Sequence, residues 1–190
     1  MTDSPETKGV PVGLTRLGWA LALVIFVSDQ LAKWAILDLF ADAPRVIEVT
    51  PFFNIVLTWN RGISFGMFGA AGDWGPNILT VLALVIAAVL ARWLTKAETR
   101  WTALGLGFII GGALGNVVDR VRFGAVVDFL DVHAWGYHWP AFNVADSAIV
   151  VGAGALIVES LFFSPEMAHN TPHTNNKTHN NQSDEFTGDT

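Results

Sequence analysis

The sequence predicts a membrane all-α protein with four transmembrane helices, both termini cytoplasmic, and a small extracytoplasmic β-sheet and loop region. Three observations predict it. Hydrophobic residues make up 52% of the chain and charged residues only 15%, where a soluble domain carries about 25% charge. The apolar residues gather into four runs, each near the ~20 residues that cross a hydrocarbon core. The short link between the second and third runs holds Arg92, Lys96 and Arg100, a dense positive cluster of the kind retained on the cytoplasmic side.

Each element follows in order. Residues 1–11 form a polar N-terminal tail. The first span covers about 14–39, interrupted by Asp29 and Lys33. No small-x-small cleavage site closes its apolar part, so it reads as a retained span rather than a signal peptide. The second span, about 74–94, holds no charge between Asp73 and Arg92. The third, about 101–120, carries Gly105, Gly107, Gly111, Gly112 and Gly115, small residues that let helices approach closely. The fourth runs over about 143–163. Together, residues 12–163 make one membrane domain, and the Asn- and His-rich stretch 164–190 reads as a disordered tail.

With the positive link inside, the loop of about 40–73 lies outside. Pro44 to Trp59 is rich in Val, Ile, Thr and Phe, which predicts short strands, and Val126 to His133 adds another. Trp34, Trp74 and Trp139 then sit near the outer interface, and Trp19, Trp93 and Trp101 near the inner one.

Several chemistries are poorly supported. The chain has no cysteine, which removes disulfides, thiol nucleophiles and thiolate metal sites. The net charge of −6 comes with no basic patch, so nucleic acid is not an expected partner. His133 and His138 lack metal-binding spacing, and His169, His173 and His179 form at most a weak chelating tract. Ser28, Ser64 and Ser147 stand in no nucleophile-elbow context.

The polar residues that remain converge. Asp29 and Lys33 end the first span. Asn116, Asp119 and Arg120 end the third, Asn143 and Asp146 begin the fourth, and Asp128 lies between the last two. Alternating spans bring all of them to one end of the bundle. Polar groups at membrane depth are costly and mark function. Each also has a structural reading. Asp29 and Lys33 suit an i,i+4 ion pair. Asn143-x-x-Asp146 resembles a helix cap. Asn116, Asp119 and Arg120 share a helical face and could anchor at an interface. Asp128 and Asp131 could lie on a solvent-facing strand edge. A small transporter subunit and a structural adaptor therefore stay open beside an enzyme; a presenilin-like protease does not, because no GxGD motif occurs.

Four blocks resemble the lipoprotein signal peptidases, the signal peptidase II family. They are Ser28-Asp29-Gln30-Leu31-Ala32-Lys33, Asn60-Arg61-Gly62-Ile63-Ser64-Phe65-Gly66, Gly111 to Arg120 followed by Gly124-Ala125-Val126-Val127-Asp128-Phe129, and Phe142-Asn143-Val144-Ala145-Asp146-Ser147. They occur in the family's order from Leu14 to Phe163. The resemblance implies Asp128 and Asp146 as the catalytic aspartates of an aspartyl peptidase. It implies substrate-binding or supporting positions at Asp29, Lys33, Asn60, Gly62, Asn116, Arg120, Asn143 and Ala145. It further implies the bacterial inner membrane, no metal or cofactor, and membrane lipid around the site. The implied partners are prolipoproteins whose cysteine carries diacylglycerol, cut just before that cysteine, and globomycin-type inhibitors.

Overall fold

A computed structural model describes residues 12–43, 45–62 and 75–162. Both tails and the glycine-containing loop 63–74, with Ser64, Gly66, Gly69 and Trp74, lie outside these residues. Four helices form: α1 (Val12–Leu39), α2 (Gly75–Leu94), α3 (Arg100–Phe123) and α4 (Val144–Phe162). All four are long and apolar enough to cross a membrane. Asp29 and Lys33 do not break α1, because they neutralise one another across one helical turn, Nζ to Oδ2 at 2.8 Å.

Helix α3 is the hub, packed against α1, α2 and α4. Its glycines make that possible. A Cβ on Gly107 would stand 2.5 Å from Gly18 O, and one on Gly111 2.5 Å from Ala22 O, both on α1. On the opposite face a Cβ on Gly112 would run into Ala145 O of α4. Backbones therefore meet on two sides of α3, as in membrane bundles where small residues replace the hydrophobic drive. Gly112→Ala is expected to destabilise the bundle by roughly 1–3 kcal/mol, because backbone cannot yield as a side chain can. Thermal unfolding in detergent checks this; an unchanged Tm would show that α4 does not press on Gly112.

The outward faces stay apolar. Ile78, Val81, Leu82, Val85 and Val89 of α2 are exposed, as are Val150, Val151, Ile157 and Val158 of α4. In water this surface would be untenable; in lipid it is the expected solvent contact.

At one end of the bundle sits a four-stranded antiparallel sheet, in order β1 (Ile47–Thr50), β2 (Phe53–Asn60), β3 (Val126–Ala134), β4 (Tyr137–His138). Helix α3 stops at Arg120–Phe123 because Gly124 takes a left-handed conformation, φ 69°, and returns its N–H to Arg120 O. The chain then enters β3 directly. Val127 and Phe129 pack with Ile36 and Phe40 of the α1 end, which seats the sheet on the helices. The fold is the expected four-helix membrane protein with a small sheet.

Candidate active site

The carboxylates and amides named from sequence meet where the sheet sits on the helix ends. Asp128 lies on β3, and only 1% of it is exposed. The solvent-facing strand edge suggested by the alternation of Asp128 and Asp131 is therefore not what forms, since Asp131 is buried as well. Strand β3 pairs with β2 along one edge and with β4 and the Phe142 segment along the other, so neither edge is free. Asp146 stands in the first turn of α4 and is partly exposed.

Asparagines link the two. Asn60 ends β2 opposite the start of β3 and donates Nδ2 to Asp128 Oδ2 at 2.9 Å. Asn143 donates Nδ2 to Asp128 Oδ1 at 2.7 Å. Its backbone N–H reaches Asp146 Oδ2 at 3.3 Å, while its Oδ1 accepts from Asp146 N at 2.9 Å. That reciprocal pair is a capping box, so the cap expected from Asn143-x-x-Asp146 forms, and the same two residues contribute to the polar cluster. Asn116 donates Nδ2 to Asp146 Oδ1 at 2.8 Å and accepts from Asn143 at 3.2 Å. A continuous path thus runs Asp128–Asn143–Asn116–Asp146.

Behind this cradle lies a buried charge network. Lys33 Nζ is 2.8 Å from Asp29 Oδ2 and 2.8 Å from Asp119 Oδ2, and it donates to Asn116 Oδ1 at 3.1 Å. Each carboxylate also fixes a backbone. Asp29 Oδ1 accepts from Ala145 N at 2.9 Å, and Asp119 Oδ2 from Val127 N at 3.0 Å. Those amides flank Asp146 and Asp128 in the chain. The network therefore sets where both aspartates stand. Ala145 is fully buried against Gly112 and its N–H is the link to Asp29.

Gly62 and Arg120 complete the rim. Gly62 N donates to Asn60 Oδ1 at 2.7 Å, a local turn that orients the asparagine. Its φ of +76° and the nearness of Leu79 leave no room for a Cβ. Arg120 lines a groove with Leu79, Leu82, Ile86, Asn116 and Ile149. Asp146, Asp128 and Asp119 all act on its charge.

Every position expected from sequence is in this cluster. Two further members carry no expected site role. Asp119 is gathered at this end by the alternation of the spans, as a helical neighbour of Asn116. Gln30, which donates Nε2 to Asp29, Gly115 O and Asp119 at 3.2 Å each, follows Asp29 in the first block but gives no periodic signal. A second polar group, Asp131 with Asn54 and His138, lies further along the sheet. Among the described residues no three His, Asp or Glu side chains are arranged to hold a metal ion.

Burial pushes the Asp128 carboxyl from 3.8 up to about 6; the charge of Asp146 adds to this, while the bonds from Asn60 and Asn143 oppose it. Burial also raises Asp131, but hydrogen bonds from His138 and Asn54 outweigh it and hold that carboxyl below its ordinary value. The two carboxylates on β3 thus diverge. Asp131 is a satisfied structural anion; Asp128 is poised to hold a proton near neutrality.

Comparison with known proteins identifies the family. The family model described as signal peptidase (SPase) II matches residues 21–162. A lipoprotein signal peptidase of Methylobacterium sp. (strain 4-46) is 44% identical over 148 residues, 77% of this chain and 89% of that protein. One from Rhodopseudomonas palustris is 43% identical over 155 residues, 79% of this chain and 94% of that one. One from Burkholderia thailandensis is 45% identical over 142 residues, 74% and 85% of the two chains. A solved structure described as a bacterial membrane enzyme, determined in meso at 1.9 Å resolution, superposes with a TM-score of 0.67 at 28% identity. It covers 83% of this chain, which covers 98% of it. These matches set aside the transporter and adaptor readings: the chain belongs to the signal peptidase II family and is a multi-pass membrane enzyme of the lipoprotein signal peptidase kind.

Proposed function

We propose that this chain is a membrane aspartyl endopeptidase that removes signal peptides from diacylglyceryl-modified prolipoproteins, with Asp128 and Asp146 as the catalytic pair. One observation carries the assignment. Of the carboxylates at the helix–sheet junction, Asp29 and Asp119 share the one cation Lys33 in ion pairs. Asp128 and Asp146 are held by asparagine amides and make no salt bridge among the described residues. Two carboxylates so placed cannot both ionise cheaply, and they share a proton.

The chemistry follows from that sharing. Asp146 accepts from Asn116 Nδ2 and Asn143 N and stands in the first turn of α4, where the helix dipole favours negative charge. It is the ionised member and takes a proton from water. The water oxygen attacks the scissile carbonyl carbon. Asp128, the protonated member, donates to the carbonyl oxygen and stabilises the tetrahedral diol. The C–N bond then breaks as a proton passes to the amine of the lipidated cysteine, and the pair returns to one proton. Arg120, beside both carboxylates, offsets their charge and offers donors to substrate backbone.

The setting fits such a substrate. The positive link at Arg92–Arg100 supports cytoplasmic termini, which puts the dyad at the outer face of a bacterial inner membrane. Lipid there holds the acyl chains and the signal helix, and water reaches Asp146 from the open side. Globomycin-type cyclic peptides are the expected inhibitors.

The pH dependence has a definite sign. Because the Asp128 pKa lies above its ordinary value, the singly protonated dyad persists up to a pH of about 6. Above that the proton is lost, so kcat/KM is expected to fall with rising pH along a limb near that value. Asn60→Ala removes a bond that favours the ionised form, so the limb should move to higher pH. A pH–rate profile of both enzymes checks this; a limb that stays in place means that Asp128 is not the group titrating.

A further inference from the structure

Two apolar grooves lie beside the aspartate cluster: one is lined by Asn116, which donates to Asp146, the other by Asp146 itself. The first lies between α2, α3 and α4, and its head carries Arg120 and Asn116. The second, of about 530 Å³, lies on the other side of α4, against the segment that leads into it. It is lined by Trp139, Pro140 and Phe142 before the helix, and by Asp146, Val150 and Val151 on it.

Positions 146 and 150, and 147 and 151, are i,i+4 pairs, so the second groove follows one stripe of α4. From Asp146 to Val151 the helix rises about 7–8 Å, away from the sheet and into the hydrocarbon layer. Val150 is 71% and Val151 54% exposed; on a membrane span those faces meet lipid. One end of the groove therefore touches Asp146 and the other opens sideways into the bilayer.

On the reading of the previous section, the substrate leaves the scissile bond in two directions. On one side is a peptide, whose unpaired N–H and C=O groups need partners at membrane depth. On the other is a cysteine with acyl chains, which need none. The first groove offers amide and guanidinium donors at its head. The second offers no charged side chain except Asp146 itself.

We propose that the groove between Trp139–Phe142 and the Asp146–Val151 stripe of α4 is the subsite for an acyl chain of the lipidated cysteine, while the α2–α3–α4 groove receives the signal peptide. Since lipid tails are as apolar as the groove, the gain is positioning of the cysteine against the dyad rather than transfer from water. Trp139, exposed at the groove mouth, holds the entrance at the interface.

The test crosses two groove-filling variants with two substrates. Val151→Trp and Leu82→Trp are compared with wild type on prolipoproteins bearing long or short diacylglyceryl chains. Val151→Trp should lower kcat/KM on the long-chain substrate by roughly tenfold or more, as crowding a hydrophobic pocket does, and largely spare the short-chain one. Leu82→Trp should lower both alike. Equal loss on both substrates for Val151→Trp, or no loss on either, overturns the assignment. A wild type that cleaves no lipidated substrate overturns the peptidase reading beneath it instead. Should Val151→Trp not fold, a long-chain substrate with a photoreactive acyl terminus decides the matter on the unaltered protein. Cross-links at Val150 or Val151 support the subsite, and cross-links confined to Leu82 and Ile86 overturn it.

Discussion

Asp128→Asn and Asp146→Asn are each expected to fold and to lower kcat/KM by roughly 10³-fold or more, since general acid–base catalysis alone contributes ~10²–10⁴ and the two groups act as a unit. The double variant should lose little beyond either single one. The substitutions are close in shape but not neutral in hydrogen bonding. Both Asp128 oxygens accept amide donors, from Asn60 and Asn143, so an asparagine there sets one donor against another. That costs stability on the order of 1–3 kcal/mol. Thermal unfolding beside the rate assay separates the two effects. Additive losses in the double variant would mean that the aspartates act independently.

Lys33→Met is expected to damage the fold more than any other single change. Lys33, Asp29 and Asp119 are all nearly fully buried, and removing the cation leaves two carboxylates facing each other without compensation. Breaking a buried pair costs about 3–5 kcal/mol, and here one cation serves two partners. The damage should spread to the site, because Asp29 holds Ala145 N and Asp119 holds Val127 N. The combination Lys33→Met, Asp29→Asn, Asp119→Asn should regain much of the lost Tm, since it removes the unpaired charge. Lys33→Arg should not substitute fully, because a planar fork does not reproduce three contacts around one ammonium. A Lys33→Met protein with the Tm of wild type would mean that these carboxylates are protonated and need no cation.

Much of this arrangement was legible in the sequence, and the physical reasons differ by element. The four helices follow from apolar length, because a bilayer imposes one dimension on every span. The Asp29–Lys33 pair follows from helical spacing, since both partners lie within one turn. The cap at Asn143 and Asp146 follows for the same reason. Alternation of the spans was enough to gather the polar groups at one end. The union of Lys33 with Asp119 was not legible: it joins α1 to α3 across distant positions, and no periodicity encodes contact between helices. Asp128 was the hardest case. The alternation around Asp128 and Asp131 suggests a wet edge, and only the resemblance singled Asp128 out. The sheet buries it because Val127 and Phe129 fasten β3 onto the end of α1. Gln30 is similar, a polar residue whose three acceptors become apparent only once α1 and α3 are side by side.

The measurement that bears most directly on the aspartate pair is the intact mass of the product released from a diacylglyceryl-modified prolipoprotein. Purified wild type is compared with Asp128→Asn and Asp146→Asn at equal folded concentration. The expected result is a wild-type product that begins at the lipidated cysteine, with substrate left intact by both variants. A product of the same mass, released by either variant at the wild-type rate, would contradict the catalytic assignment and leave these aspartates as structural anchors of the helix–sheet junction.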